Sequence, residues 1–171
     1  MKKYIASLLA MVIVSPIFGA NKIEFDYVIS KAEHCMALNI YHEARSDNLA
    51  GKFAVGDVVL NRVNDIRYPN NVCDVIYQGE HKPSWKDPSV QVPVRNRCQF
   101  SWYCDGKSDD PLDSDAWNES VLISAQLLND NRYRGLTEGA THYHASWVLP
   151  YWAPTLQAIG TIGSHVFYRA D

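Results

Sequence analysis

Residues 32–44 repeat Ala32, Met36, Ile40 and Ala44 at a spacing of four, with Ala37 and Tyr41 beside them. That period commits the early chain to an amphipathic helix, expected from about Tyr27 to Ala44. Glu43 departs from the pattern. At ~100° per residue it falls almost on the face angle of Met36, at the border of the apolar stripe rather than opposite it. A carboxyl on that border is partly desolvated, and desolvation raises its pKa. One that keeps its proton near neutral pH can serve as a general acid. The plainer reading is a border glutamate paired with Arg45 or another surface cation.

The first twenty residues read as an export signal. Lys2 and Lys3 give a basic start, Ile5 to Val14 a short apolar run, and Ser15-Pro16-Ile17-Phe18-Gly19-Ala20 a breaker with a small-residue end. The run is short of the ~20 residues of a membrane span. Phe18 is bulky where cleavage prefers a small residue, so a retained signal anchor, tethering the protein to a membrane, is the alternative. Residues 21–171 then form one domain, periplasmic or secreted and expected to be a monomer. Losing Lys2 and Lys3 takes the net charge from −3 to −5. Without a Lys/Arg cluster, that charge excludes nucleic acid as partner.

Four cysteines fit an oxidising compartment. Cys98 and Cys104 bracket five residues and can close a small loop, which leaves Cys35 and Cys73 to pair across the first two helices. Loop-closure entropy gives about 2.4 kcal/mol for the short loop and about 3.9 kcal/mol for the long one. Four cysteines allow three connectivities, and this is the preferred one. A zinc site is the competitor, but the chain has no Cys-x-x-Cys pair.

The order along the chain is helices, a long loop, a helix, then strands. A second helix is expected from about Asn48 to Ile66, on the period of Val55, Val58, Val59, Arg62, Val63 and Ile66, capped by Asp47 or Asn48 and ended by Pro69. Gly51 and Gly56 cost it about 1 kcal/mol each against Ala, offset by close approach of the first helix. Val72 to Tyr77 adds a turn or two. Gln78 to Asp113 reads as loop, with four prolines and several aromatic residues, and a connection of that length tends to be functional. A helix follows from about Ser114 to Leu128. Residues 141–147 read as a strand, and 156–169 as a glycine-jointed hairpin. The class is α+β.

Three groups can carry chemistry. The first is Glu43. The second is the Cys98–Cys104 loop, where Gln99 and Ser101 sit beside aromatic rings; its plainer reading is a stapled structural loop. The third is the strand at 141–147. Period two places Thr141, Tyr143, Ala145 and Trp147 on one face and His142, His144 and Ser146 on the other. His142 and His144, with His165 or His42, offer a weak zinc set, against the alternative of a polar binding face. His42-Glu43 does not begin a zinc-protease helix motif, because Ser46 stands where the second histidine belongs. Asp57, Asp65, Asp105, Asp109, Asp110 and Asp115 are the candidates for a second catalytic carboxylate, and nothing in the sequence favours one. Asp57 reads as a capping or pairing residue and Asp109-Asp110 as a solvated turn. No metal or cofactor is expected.

His42-Glu43-Ala44-Arg45-Ser46, followed by Gly51-Lys52-Phe53-Ala54-Val55-Gly56-Asp57-Val58-Val59-Leu60-Asn61-Arg62-Val63, resembles the SleB-type cell wall hydrolase family. The resemblance continues through Tyr68 to Cys73, Val75 to Gln78 and Cys98 to Trp102. It closes with Gly139 to His144, Pro150 to Ala153 and Thr161 to Tyr168. It implies a small α+β domain akin to lysozyme and lytic transglycosylases, with peptidoglycan glycan strands as partner. The essential carboxylate of the family's Glu-Ala-Arg motif falls on Glu43. Spore members tend to carry Gly where this chain has His42, which suits the version found in Gram-negative bacteria and their phages. Gln99, Ser101, Tyr143 and His144 are candidates to hydrogen-bond the sugar, and Trp102 and Trp147 to stack on it. The rival readings are a zinc-dependent wall peptidase or amidase using His142, His144 and His165, and a non-catalytic wall-binding protein.

Overall fold

The computed structural model describes residues 28–170. The expected signal segment, residues 1–20, lies outside them. Among the described residues no helix is long and apolar enough to cross a membrane.

The first helix, α1 (Lys31–Ala44), starts at Ser30 rather than near Tyr27. The reason is a capping box: Ser30 Oγ accepts from the Glu33 N–H (3.2 Å) and the Ser30 N–H donates to Glu33 Oε2 (2.6 Å). Cys35 through Tyr41 are buried without a break. Seven consecutive buried residues are about two full turns, so α1 has no solvent face there and forms the centre of the domain. Around it pack α2 (Leu49–Val63), the short α3 (Val72–Ile76) and α4 (Ser114–Asn129). Asn48 caps α2, with Oδ1 accepting from the Gly51 N–H at 2.9 Å. The helix stops at Val63, before the expected Ile66, which is fully exposed.

The two helix glycines have different neighbours from those expected. A Cβ at Gly56 would strike Leu127 Cδ1 of α4, with Ile40 and Met36 of α1 behind it. At Gly51 the obstruction is the carboxylate of Asp47, not α1.

The segment expected as loop, 78–113, contains an antiparallel hairpin of β1 (Gly79–Pro83) and β2 (Gln91–Cys98), followed by a 3₁₀ turn, Ser101–Cys104. Two prolines hid it. Pro83 ends β1, and Pro93 lies in a two-stranded ribbon where every strand has a free edge and a missing N–H is tolerated. The hairpin is also exposed along most of its length, so it carries no alternating pattern.

After α4 come β3 (His142–Ala145), β4 (Gln157–Ile162) and β5 (His165–Arg169), in the antiparallel order β3-β5-β4. His144 pairs with Val166, and Ala145 with His165. A small second core of Ala54, Val58, Ala140 and Phe167 fastens this sheet to α2. Asp57, fully buried, holds the preceding turn: it pairs with Arg134 and accepts from the N–H groups of Gly135 and Thr137 and the Thr137 hydroxyl.

Both disulfides form as preferred, Cys35–Cys73 and Cys98–Cys104. The first ties central α1 to α3 across a sequence separation of 38. Replacing Cys35 and Cys73 together by alanine is expected to cost about 3–4 kcal/mol. Urea unfolding of the double variant against wild type, under oxidising conditions, measures it.

Candidate functional site

The last turn of α1 opens into a cleft of about 930 Å³. Tyr41 to Asp47 contribute one side of the lining. The 3₁₀ turn and the loop from Asp105 to Asp113 contribute another, and β3, Trp147, Ser164 and His165 a third. The loop is anchored to α1 itself. Tyr41 Oη accepts from the N–H groups of Leu112 and Asp113, both at 3.1 Å, and His42 Nε2 lies 3.1 Å from the Asp109 carbonyl. The His42 ring stacks on Trp102 (centroids 4.6 Å apart, 16° between planes), whose Nε1–H donates to buried Asn39 at 3.1 Å.

Glu43 lies in this cleft, half-buried. Burial raises its pKa, opposed in part by the Tyr143 hydroxyl, which donates to Oε2 at 3.2 Å, and by the charge of Arg62. The Tyr143 phenol is itself pushed well above its ordinary value, chiefly by burial and then by the Glu43 charge, so it stays a donor.

Four residues on, Asp47 has the opposite character. Its carboxylate accepts from the Asn48 N–H (2.8 Å), the Ser164 N–H (3.0 Å to Oδ2), the Ser164 hydroxyl (2.9 Å) and His165 Nδ1 (3.2 Å). Burial alone would raise its pKa, but these hydrogen bonds outweigh it and the net shift is downward. The carboxylate fits between two glycines: a Cβ on either Gly51 or Gly163 would collide with it. Gly163 also turns the β4–β5 hairpin at φ +58°, a conformation that glycine adopts at little cost. On the loop, burial raises the Asp109 pKa; His42 lowers it, while the Asp105 and Asp110 charges add to the rise.

Of the residues singled out from sequence, Glu43, Ser101, Trp102, Tyr143, His144 and Trp147 line the cleft together. Gln99 does not. Its side chain is exposed outside the lining, and its N–H donates to the Gln78 carbonyl at 2.9 Å. Trp102 is only 7% exposed and packs against His42, so it is wall rather than open platform. Trp147, at 75%, keeps its indole open. Tyr143 spends its hydroxyl on Glu43, and His144 Nε2 lies 2.9 Å from the Tyr168 hydroxyl.

The zinc set does not assemble. His142 contacts Thr141 Oγ1, His144 Tyr168 and His165 Asp47. Among the described residues no three His, Cys, Asp or Glu side chains are placed to hold a metal ion. Sequence reasoning passed over Asp47 and Arg62 as site residues, and considered His42 only as a zinc ligand. Arg62 did leave a signal, being a charged residue at an apolar position of the α2 period.

The profile of the Cell Wall Hydrolase family matches residues 46–168, a range that opens three residues after Glu43. Two solved structures resemble the fold. One is the catalytic domain of the germination-specific lytic transglycosylase SleB from Bacillus anthracis, at 24% identity and a TM-score of 0.57, covering 82% of this chain and 97% of that one. The other is the catalytic domain of the Bacillus cereus SleB protein, at 24% identity and a TM-score of 0.55, covering 88% and 100%. The architecture is therefore the small lysozyme-like α+β domain that the resemblance implied. No curated protein gives a significant match.

Asp47→Asn is expected to loosen the β4–β5 turn from the α1–α2 junction. The native carboxylate has a lowered pKa, so its contribution to stability is present above the ordinary value of ~3.9 and lost as pH falls through the folded value. Thermal melts of wild type and variant should differ at pH 7 and converge as pH drops below about 4.

Proposed function

Since the chain belongs to the cell wall hydrolase family, we propose that it cuts peptidoglycan glycan strands between N-acetylmuramic acid and N-acetylglucosamine, with Glu43 moving the proton. The observation that carries this reading is a carboxyl with a raised pKa lining a saccharide-sized cleft.

Glu43, protonated, donates to the glycosidic oxygen as the bond from the muramic C1 breaks. The muramic C6 hydroxyl oxygen then bonds to C1 and its proton returns to the Glu43 carboxylate, closing a 1,6-anhydro ring. No water is consumed, and one carboxyl serves both transfers. The Bacillus anthracis fold relative is described as a lytic transglycosylase, which supports this intramolecular route. Tyr143 donates to Oε2 and leaves Oε1 to carry the mobile proton. Ser101 lines the same cleft and would meet polar groups of the sugar, and Trp147 offers a face for stacking; His144, with both ring nitrogens facing Ala145 and Tyr168, would serve as wall. The work is done outside the cytoplasm, where two disulfides persist, after export directed by residues 1–20.

Glu43→Gln is the primary test. Digestion of purified peptidoglycan should slow by about 10²–10⁴-fold, and equal activity of variant and wild type would remove Glu43 from the mechanism. The same variant should melt higher at neutral pH. A buried carboxyl with a raised pKa stabilises the fold only while protonated, and that stability is lost as pH rises through its folded value. Mass spectrometry identifies the route: anhydromuramic ends mark the lyase, reducing ends the hydrolase.

Tyr143→Phe removes a hydrogen bond that favours the Glu43 carboxylate. Its pH–rate profile should keep activity to higher pH on the alkaline side, while the maximal rate falls about tenfold, the usual worth of a hydrogen bond to a charged group.

A further inference from the structure

Arg45 is the C-cap of α1, and its exposed side chain lines the cleft. Its guanidinium lies 5.2 Å from the centroid of the Tyr41 ring. That ring is a fixed support: Tyr41 is 4% exposed, and its hydroxyl accepts from the N–H groups of Leu112 and Asp113. The pairing of Glu43 with Arg45 expected on the plainer reading does not form, and among the described residues no carboxylate lies within ion-pairing distance of Arg45. Acids of the cleft are engaged elsewhere. Asp47 meets Ser164 and His165, Asp110 meets Ser108, and Asp113 accepts from the first N–H groups of α4. Asp105 lies 3.5 Å from Nζ of Lys107, the other permanent cation of the lining. Arg45 is therefore a cation held in the cleft wall with no counter-ion among the described residues. A cation at a helix C-terminus is favoured by the helix dipole, and a lysine would serve that purpose equally well. Arginine adds a planar fork of donors that matches a carboxylate.

We propose that Arg45 is a specificity residue, which receives a carboxylate borne by the 3-O-lactyl arm of the muramic sugar. This deepens the reading of the cleft as a glycan-strand site and rests on it. The N-acetylated rings of that polymer carry no charge of their own. Its negative charge sits on the lactyl arm, either as the free lactyl carboxylate or, where a peptide is attached, as the carboxylates of that peptide. The bond to be broken starts at the muramic C1, so the muramic residue lies beside Glu43 and its arm enters the same cleft. The lining carries more acids than cations. A negatively charged arm is therefore repelled except where a cation meets it, and Arg45 supplies that point. Its seat on the Tyr41 ring orders the fork before a strand arrives, which reduces the entropy lost on binding.

The test measures kcat and KM on glycan strands stripped of peptide, which expose lactyl carboxylates, and on strands with their peptides intact. Each kind is also supplied with its carboxyls coupled to methylamine as neutral amides. Wild type should favour the charged form over its own amide by about five- to tenfold, read in KM, for at least one kind. A preference on stripped strands identifies the lactyl carboxylate as the group received, and one on intact strands identifies the peptide carboxylates. In Arg45→Met and Arg45→Gln, each checked for a cooperative melt, that preference should be lost. Arg45→Lys, which keeps the charge without the fork, should retain part of it. A wild type blind to charge on both kinds overturns the proposal, and so does a preference that survives in a folded neutral variant. Equal loss on charged and amide strands also overturns it, as the mark of a merely structural C-cap. Failure of both neutral variants to fold counts against it for the same reason. The two readings fail separately: a fully active Glu43→Gln removes the proton donor and leaves the charge preference intact, whereas a wild type blind to charge beside an inactive Glu43→Gln removes only Arg45.

Discussion

The unbroken burial of α1 from Cys35 to Tyr41 is the constraint from which the site follows. A helix with no solvent face along its middle meets the cleft only in its last turn, and there the chain places Glu43. Helices α2, α3 and α4 pack around the same helix, and the cleft opens at its last turn. The raised pKa is a consequence of that position. Rigidity follows from the same cause. The helix that carries the carboxylate is also the centre of the core, and a disulfide ties it to α3.

Carboxylates elsewhere in the domain act as fasteners. Glu33 closes the start of α1 and accepts from Asn129 of α4 at 2.9 Å. Asp57 holds the turn ahead of β3, and Asp47 joins the α1–α2 junction to the β4–β5 turn. Each gathers more than one donor. Among the described residues Glu43 gathers one, the Tyr143 hydroxyl. Asp47 and Glu43 are four residues apart and are driven toward opposite charge states: burial dominates at Glu43, whereas hydrogen bonds outweigh it at Asp47. A carboxylate satisfied four times over is a poor proton carrier, and one satisfied once is available for chemistry.

The readable parts of the fold were those encoded by local period or by covalent reach. The stripe at Ala32, Met36, Ile40 and Ala44 identified α1, and cysteine spacing pointed to both disulfides. The β1–β2 hairpin was not readable, because an exposed ribbon has no buried face to impose alternation and its prolines imitate a loop. Gln99 was drawn into the site by its place between the bridged cysteines, but the backbone turns it away. The histidines of 142–165 looked like possible ligands until their partners, Thr141, Tyr168 and Asp47, were visible.

By itself, the sequence pointed to the helices, to one preferred disulfide pairing out of three and to a carboxyl on the border of an apolar stripe, since period and spacing along the chain carry that much. Tertiary structure decided what that carboxyl meets. The hydroxyl of Tyr143 comes from 100 positions along the chain, and the charge of Arg62 arrives from a different helix. The acidity of a group depends on distance and solvent access, and neither is a property of neighbours in sequence.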